Sequence, residues 1–211
     1  LQAAQDTRLG RITATYGFQH NLRREYDVTR LPTDRAQLNL TLATQTLNLS
    51  LDHRRIGRFS GSVGVEGQYA QNRFADGDRV FLPFYDLTGA SAFAIERVRW
   101  NGWTAEAGAR WDLRHYSVQN PEGPAQGVVH YDRQFSNPSG TLGARHAFGR
   151  GRGEAGLTVA AAWRAPQPAE LFAQGYHQSA ARIERGSRNL AAERSLGVNA
   201  DASYEWGSAL K

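Results

Sequence analysis

Apolar and polar residues alternate one by one along most of this chain, and the alternating segments are joined in turn by very short and by long, polar connections. After Asn101-Gly102, the residues Trp103, Ala105, Ala107, Ala109, Trp111 and Leu113 share one parity, whereas Thr104, Glu106, Arg110, Asp112 and Arg114 share the other. Only an extended strand has a period of two, and this one needs an apolar environment on one face and a polar one on the other. The same separation runs through Ile12, Ala14, Tyr16 and Phe18 against Thr13, Thr15, Gln19, Asn21, Arg23 and Glu25. It recurs in Phe59, Val63, Val65 and Tyr69, in Ala155, Leu157, Val159, Ala161 and Trp163, and in Leu196, Val198, Ala200, Ala202, Tyr204 and Trp206.

The pattern predicts about eight strands, near 11–27, 36–52, 58–74, 90–100, 102–118, 134–149, 153–165 and 192–206. Asn-Gly at 101–102 suits a two-residue hairpin, since both residues tolerate the positive φ of a type I′ turn. Two strands change phase. Leu38, Leu40 and Leu42 oppose Leu47, Leu49 and Leu51, and Phe93 and Ile95 oppose Val98 and Trp100, so bulges are expected near Ala43 to Thr46 and near Glu96. The connections near 53–57, 101–102 and 149–152 are short, those near 75–89, 119–133 and 166–191 are long, and 28–35 is intermediate.

These strands exceed the roughly five or six residues usual in a soluble sandwich and suit a tilted bilayer crossing, which takes about 9–11. No stretch approaches the roughly 20 apolar residues of a membrane helix. The expected fold is therefore all-β: an antiparallel up-and-down transmembrane β-barrel segment, about eight strands of a larger barrel, whose trimmed rim and looped rim explain the unequal connections. Aromatic residues belong where lipid meets water. Phe59, Trp100, Trp103, Phe148 and Trp206 lie near the short turns, and Tyr26, Tyr69, Phe74, Tyr116 and Trp163 near the opposite ends.

On the polar parity, Arg23, Glu25, Glu66, Glu106, Arg110, Asp112, Arg114 and Arg145 are expected to line a watery lumen, pairing with one another or with a plug. The formal net charge of +5 is spread along strands and loops instead of forming a basic stripe, which argues against a nucleic-acid partner. With no cysteine, the chain has no disulfide or thiolate chemistry. It begins at Leu1, contains no methionine and opens without a charged and then apolar leader, so residues 1–211 are expected to be a partial barrel domain from a longer protein.

The run Ala162-Trp163-Arg164-Ala165-Pro166 is followed by Glu170-Leu171-Phe172, Gly175-Tyr176-His177, Glu184-Arg185-Gly186 and Asn189-Leu190 with Glu193-Arg194-Ser195. This order resembles the signature of TonB-dependent outer-membrane transporters, in which an upward strand ends in "fRAP", a loop carries "EL…G.H……E.G" and "L..E.S" opens the strand going down. Gly17 to Tyr26 and Phe135 to Gly140 resemble two further patterns of that family. The resemblance implies that the long loops face outward from a bacterial outer membrane. It also implies energised uptake of a scarce nutrient such as a ferric siderophore, haem, cobalamin or another metal complex, with an N-terminal plug domain and the TonB complex as partners. The plug and the rest of the roughly 22 strands of such barrels are expected outside this chain.

In the outer loops, His177, Arg182 and Glu184 are candidate substrate contacts, with Phe84 and Tyr85 as an aromatic alternative. The resemblance implies instead a bracing role for Arg164, Pro166, Glu170, Leu171, Gly175, Gly186, Leu190 and Glu193, with Glu184 paired to a nearby Arg. No H-x-x-x-H or equivalent ligand spacing marks a metal site, and no cofactor is expected. A passive porin or structural barrel would share the alternation but not the ordered motifs. A membrane-embedded hydrolase would need a nucleophile and base on adjacent wall positions, and neither G-x-S-x-G nor a comparable pattern occurs, so no enzyme activity is expected.

The parity assignment predicts that Ala107→Arg or Val159→Arg impairs membrane assembly by about 2–4 kcal/mol, whereas Thr104→Arg and Thr158→Arg are tolerated. Heat-modifiable mobility of the outer-membrane protein checks this, and equal tolerance at both parities refutes it.

Overall fold

A computed structural model describes residues 1–26, 36, 38–74, 81–120, 129–177 and 181–206. The expected 28–35 link lies outside the described residues, as do most of the tips of the long loops and the Ser208 to Lys211 end. The strands are β1 (Gln2–Asp6), β2 (Gly10–Glu25), β3 (Leu38–His53), β4 (Phe59–Phe74), β5 (Phe84–Trp100), β6 (Trp103–Gln119), β7 (His130–Phe148), β8 (Gly153–Arg164), β9 (Gln174–His177), β10 (Arg182–Arg185) and β11 (Glu193–Tyr204). One short helix, α1 (Pro168–Phe172), follows β8. Nine strands form a single sheet in the order β1-β2-β3-β4-β5-β6-β7-β8-β11, and β9 and β10 pair only with each other.

Every neighbouring pair in the large sheet is antiparallel, so the expected up-and-down topology is present. All eight expected strands form. The sequence reading missed β1, whose short segment shows too few alternations to register, and it missed the β9–β10 hairpin inside what was read as one loop. It also began two strands late: β5 starts at Phe84 and β7 at His130.

Neither expected bulge exists. β3 pairs residue for residue with β2 and β4 through positions 43–46, and β5 does so with β4 and β6 through position 96. Directly paired residues share a face, so the phase changes reflect a change of surroundings along one unbroken face. Leu47 and Leu49 point outward and are exposed, while Leu38 and Leu40 point inward, where they pack with Phe81 and Ala173. In β5, Ala92 and Ala94 pair with the outward Trp111 and Ala109, which turns Phe93 and Ile95 into the lumen. Glycines make room there. A Cβ at Gly64 would lie 2.5 Å from the Phe93 ring, and one at Gly108 would meet Ile95 at 3.5 Å.

The two ends of the sheet differ in kind. At the short-turn end, Asn101 and Gly102 adopt φ of 44° and 79°, as the type I′ reading requires. Trp100 and Trp103 stack at 6.5 Å, His146 packs on Trp103 at 4.4 Å, and Phe148, Tyr204 and Trp206 form a second aromatic group. At the long-loop end, a buried cluster on the inner face joins Ala70, Tyr85, Leu87, Tyr116, Val118 and Phe135 to Ala165, Leu171 and Phe172. Tyr116 therefore does not join an outer girdle: it is 2% exposed inside this cluster, because its even position in β6 faces the lumen. Trp163 is half-buried against the same cluster.

Single cysteines in this cysteine-free chain test the continuous register. In the membrane-inserted protein, Cys at Ser91 or Ile95 should react with a water-soluble maleimide and Cys at Ala92 or Ala94 should not; the reverse at Ile95 and Ala94 would restore the bulge.

Candidate functional site

β8 ends in Arg164, and the chain then turns back over the inner face of its own sheet. Pro166 is buried, and its carbonyl accepts a 3.0 Å hydrogen bond from the Tyr116 hydroxyl. Pro168 starts α1, where its fixed φ suits the first turn and its missing N–H costs nothing. Glu170 caps that turn by accepting from the Gln167 amide at 2.6 Å. Leu171 and Phe172 enter the inner cluster, 1% and 3% exposed, with the Phe172 ring edge-on to Tyr131 at 5.7 Å.

Arg164 ties the two ends of this excursion together. Its guanidinium donates to both carboxylate oxygens of Glu170 at 2.9 Å and to Glu193, the first residue of β11, at 2.9 and 3.1 Å. The hydrogen bonds from Arg164 and the Gln167 amide hold the Glu170 carboxyl below its ordinary pKa. Gly186 follows β10 and lies against α1: its amide donates to the Ala173 carbonyl at 2.7 Å, and a Cβ there would stand 2.5 Å from the Phe172 nitrogen. Gly175 opens β9 with φ of 118°, a conformation that favours glycine. The Leu190 carbonyl accepts from Arg133 at 3.2 Å. Of the eight motif positions, Arg164, Pro166, Glu170, Leu171, Gly186 and Glu193 are thus bound directly into the seam between α1, β10 and the strands.

The hairpin brings His177, Arg182 and Glu184 together. His177 Nδ1 lies 2.9 Å from Glu184, and Arg182 donates to the same carboxylate at 2.7 Å. These contacts, that of His177 first, lower the Glu184 pKa. On its other side His177 Nε2 meets Arg23 at 3.1 Å and lies 3.7 Å from Glu25, and Arg23 pairs with Glu25. Phe81 covers the His177 ring at 5.0 Å. Reading the sequence placed Arg23 and Glu25 in the lumen but not beside His177, because a contact spanning 154 residues leaves no local pattern.

Phe84 and Tyr85 do not form one aromatic surface. They are consecutive residues of β5 and face opposite sides; Tyr85 is buried in the inner cluster, and Arg73 lies over the Phe84 ring at 5.6 Å. Among the described residues, no group of three His, Asp or Glu side chains is placed to hold a metal ion.

Below the loop, a cleft of about 670 Å³ opens between the wall and the start of α1, bordered by Gln68, Arg114, Tyr116, Trp163, Arg164 and Gln167. Three of the deeper wall arginines are ion-paired. Arg110 bonds Glu66 and Asp112, Arg97 bonds Glu106, and Arg145 bonds Glu154 and Asp201. Arg114 donates to Gln68 at 2.7 Å.

A wide antiparallel sheet with an apolar outer face, ion pairs on its inner face and the 165–173 segment folded over one rim defines the wall of a large outer-membrane β-barrel. Residues 2–210 match the family described as "TonB dependent receptor-like, beta-barrel", and the chain belongs to it. Barrels of this family are outer-membrane proteins.

The chain also superimposes on the copper transporter OprC with a TM-score of 0.69 at 15% identity, over 98% of this chain and 35% of that one. A double mutant of the Serratia marcescens hemophore receptor HasR, solved with its hemophore HasA and haem, aligns with a TM-score of 0.62 at 18% identity, over 95% and 38%. Both likenesses show a shared fold. The chain spans little more than a third of either structure's length.

Gly186→Ala should push β10 away from α1, at about 1–3 kcal/mol, and speed proteolysis within 165–191 while the wall stays folded. Since Glu170 and Glu184 have lowered pKa values in the folded loop, their stabilisation is full above the ordinary carboxylate range and fades as pH falls through the lowered values. The same proteolysis assay should therefore quicken in acid, and a flat profile would contradict the pairing.

Proposed function

We propose that this chain forms wall and outer-loop segments of an outer-membrane receptor for TonB-energised uptake of a scarce nutrient, with a metal chelate as the substrate class. The family match over residues 2–210 is the observation that carries the reading. The loop geometry supports it, because the segment after β8 is held against the inner face of the wall by packing and by Arg164. The names of the similar structures, a copper transporter and a haem-bearing hemophore receptor, fit a metal-containing cargo.

In this reading, the cleft bordered by Gln68, Arg114, Tyr116, Trp163 and Gln167 faces the plug, and Arg182, the most exposed member of the His177–Glu184 group, meets the solute. His177 and Glu184 position the hairpin that presents it. The protein transports and does not catalyse. Its partners are lipid, an N-terminal plug, the TonB complex and the solute.

Deletion of the encoding gene should abolish growth on one limiting source among ferric siderophores, haem, cobalamin and copper chelates, and dissipating the proton gradient should stop uptake in the wild type. Arg182→Ala should weaken solute binding several-fold without lowering the amount of folded protein. Solute entry that survives loss of the gradient would establish a passive pore instead.

A further inference from the structure

The short connections at 7–9, 54–58, 101–102 and 149–152 hold six arginines, Arg8, Arg54, Arg55, Arg58, Arg150 and Arg152, and no Asp or Glu. The long connections differ, mixing Arg with Asp27, Asp34, Asp76, Asp78 and Glu122. The basic bias therefore belongs to one rim. All six arginines are exposed, and none has an ion-pair partner among the described residues. On the wall, Arg97, Arg110 and Arg145 are ion-paired and Arg114 donates to Gln68.

Backbone contacts hold this rim in shape. The Arg54 amide donates to the Leu9 carbonyl at 2.9 Å, joining two turns. Arg55 Nε donates to the Gly57 carbonyl at 2.9 Å and Arg152 Nε to the Gly149 carbonyl at 3.4 Å, neither bond using the terminal guanidinium nitrogens. Arg152 also lies 5.8 Å above the Tyr204 ring. Beside these turns the exposed aromatics Phe59, Trp100, Trp103, Phe148 and Trp206 mark the edge of the hydrocarbon, which sets the arginines at headgroup depth. The acidic groups flanking these turns in sequence are Asp6, Asp52, Glu154 and Glu205; Asp52 already accepts from Ser62 and Glu154 pairs with Arg145.

We propose that this arginine rim binds anionic phospholipid of the periplasmic leaflet, with guanidinium groups on lipid phosphates and the neighbouring aromatics on the acyl boundary. Guanidinium suits the task, since its planar donors match phosphate oxygens in pairs. The partner is a lipid surface and not a soluble acidic protein, because the charges follow the aromatic belt around the rim instead of gathering in one patch. The inference rests on the outer-membrane reading and on no particular solute, and its test has no transport readout.

The full-length protein, purified in detergent, is mixed with equal phosphatidylglycerol and phosphatidylethanolamine, and retained lipids are counted by native mass spectrometry. The wild type should retain phosphatidylglycerol in at least about tenfold preference, and the preference should fall with salt. Replacing Arg54, Arg55, Arg150 and Arg152 by Gln should abolish it, and replacing them by Lys should keep most of it. Inorganic phosphate at matched concentration should not compete. Equal retention of both lipids by the wild type overturns the proposal without any variant, as does a preference that survives the Gln set. Competition by inorganic phosphate would reduce the rim to a general anion site, and selective capture of an acidic periplasmic protein with no lipid preference would replace the lipid by that partner.

Discussion

The hydrogen-bond ladder between neighbouring strands is the constraint on which the rest depends. Inside a bilayer no water is present to satisfy backbone N–H and C=O groups, and each unmet group costs several kcal/mol. Continuous pairing from β2 through β8 and on to β11 meets that demand between these neighbouring strands. It also explains the missing bulges: a bulge in β3 or β5 would leave a residue unpaired, whereas turning Leu38, Leu40, Phe93 and Ile95 inward leaves the ladder intact. What changes along these strands is the company on the inner face, with Phe81 and Ala173 above and open glycine sites below.

Over this wall the 165–190 segment is held by two unequal forces. Burying Leu171 and Phe172 contributes about 1.5–3 kcal/mol each. The ion pairs of Arg164 are largely exposed, and such pairs are worth about 0–1 kcal/mol. Packing therefore keeps the segment down, and Arg164 determines where it sits by gripping Glu170 and Glu193 at once. Gly186 matters for the same reason, since any side chain there would meet the α1 backbone. The outcome is a braced loop beside a cleft, which suits a receptor that holds its solute before passing it on.

The two rims answer different environments. At one, apolar side chains of the 165–173 segment pack over the inner face; at the other, short turns carry exposed aromatics and exposed arginines. Between them Arg97, Arg110 and Arg145 are ion-paired on the inner wall, whereas the six rim arginines have no ion-pair partner among the described residues.

Most of the fold was legible in the sequence because a strand in a membrane wall is selected locally: each residue meets lipid or lumen according to parity alone. Asn101-Gly102 likewise declared its turn through its own φ preferences. The motif from Arg164 to Glu193 identified the segment that carries the candidate site. What parity could not show was any place where the inner face stops being watery, since that depends on a segment distant in sequence, 50 residues away for Tyr116 and Pro166. Hence Tyr116 and Tyr85 read as rim or loop aromatics and proved to be core, and Leu38 read as a sign of a bulge; Phe93 misled for a nearer reason, since its ring fills the space left by Gly64 on the next strand. The partnership of His177 with Arg23 and Glu25 has the same origin. Local chemistry determined strand, turn and face; the return of a distant loop onto the sheet decided which inner residues are buried and which charges meet.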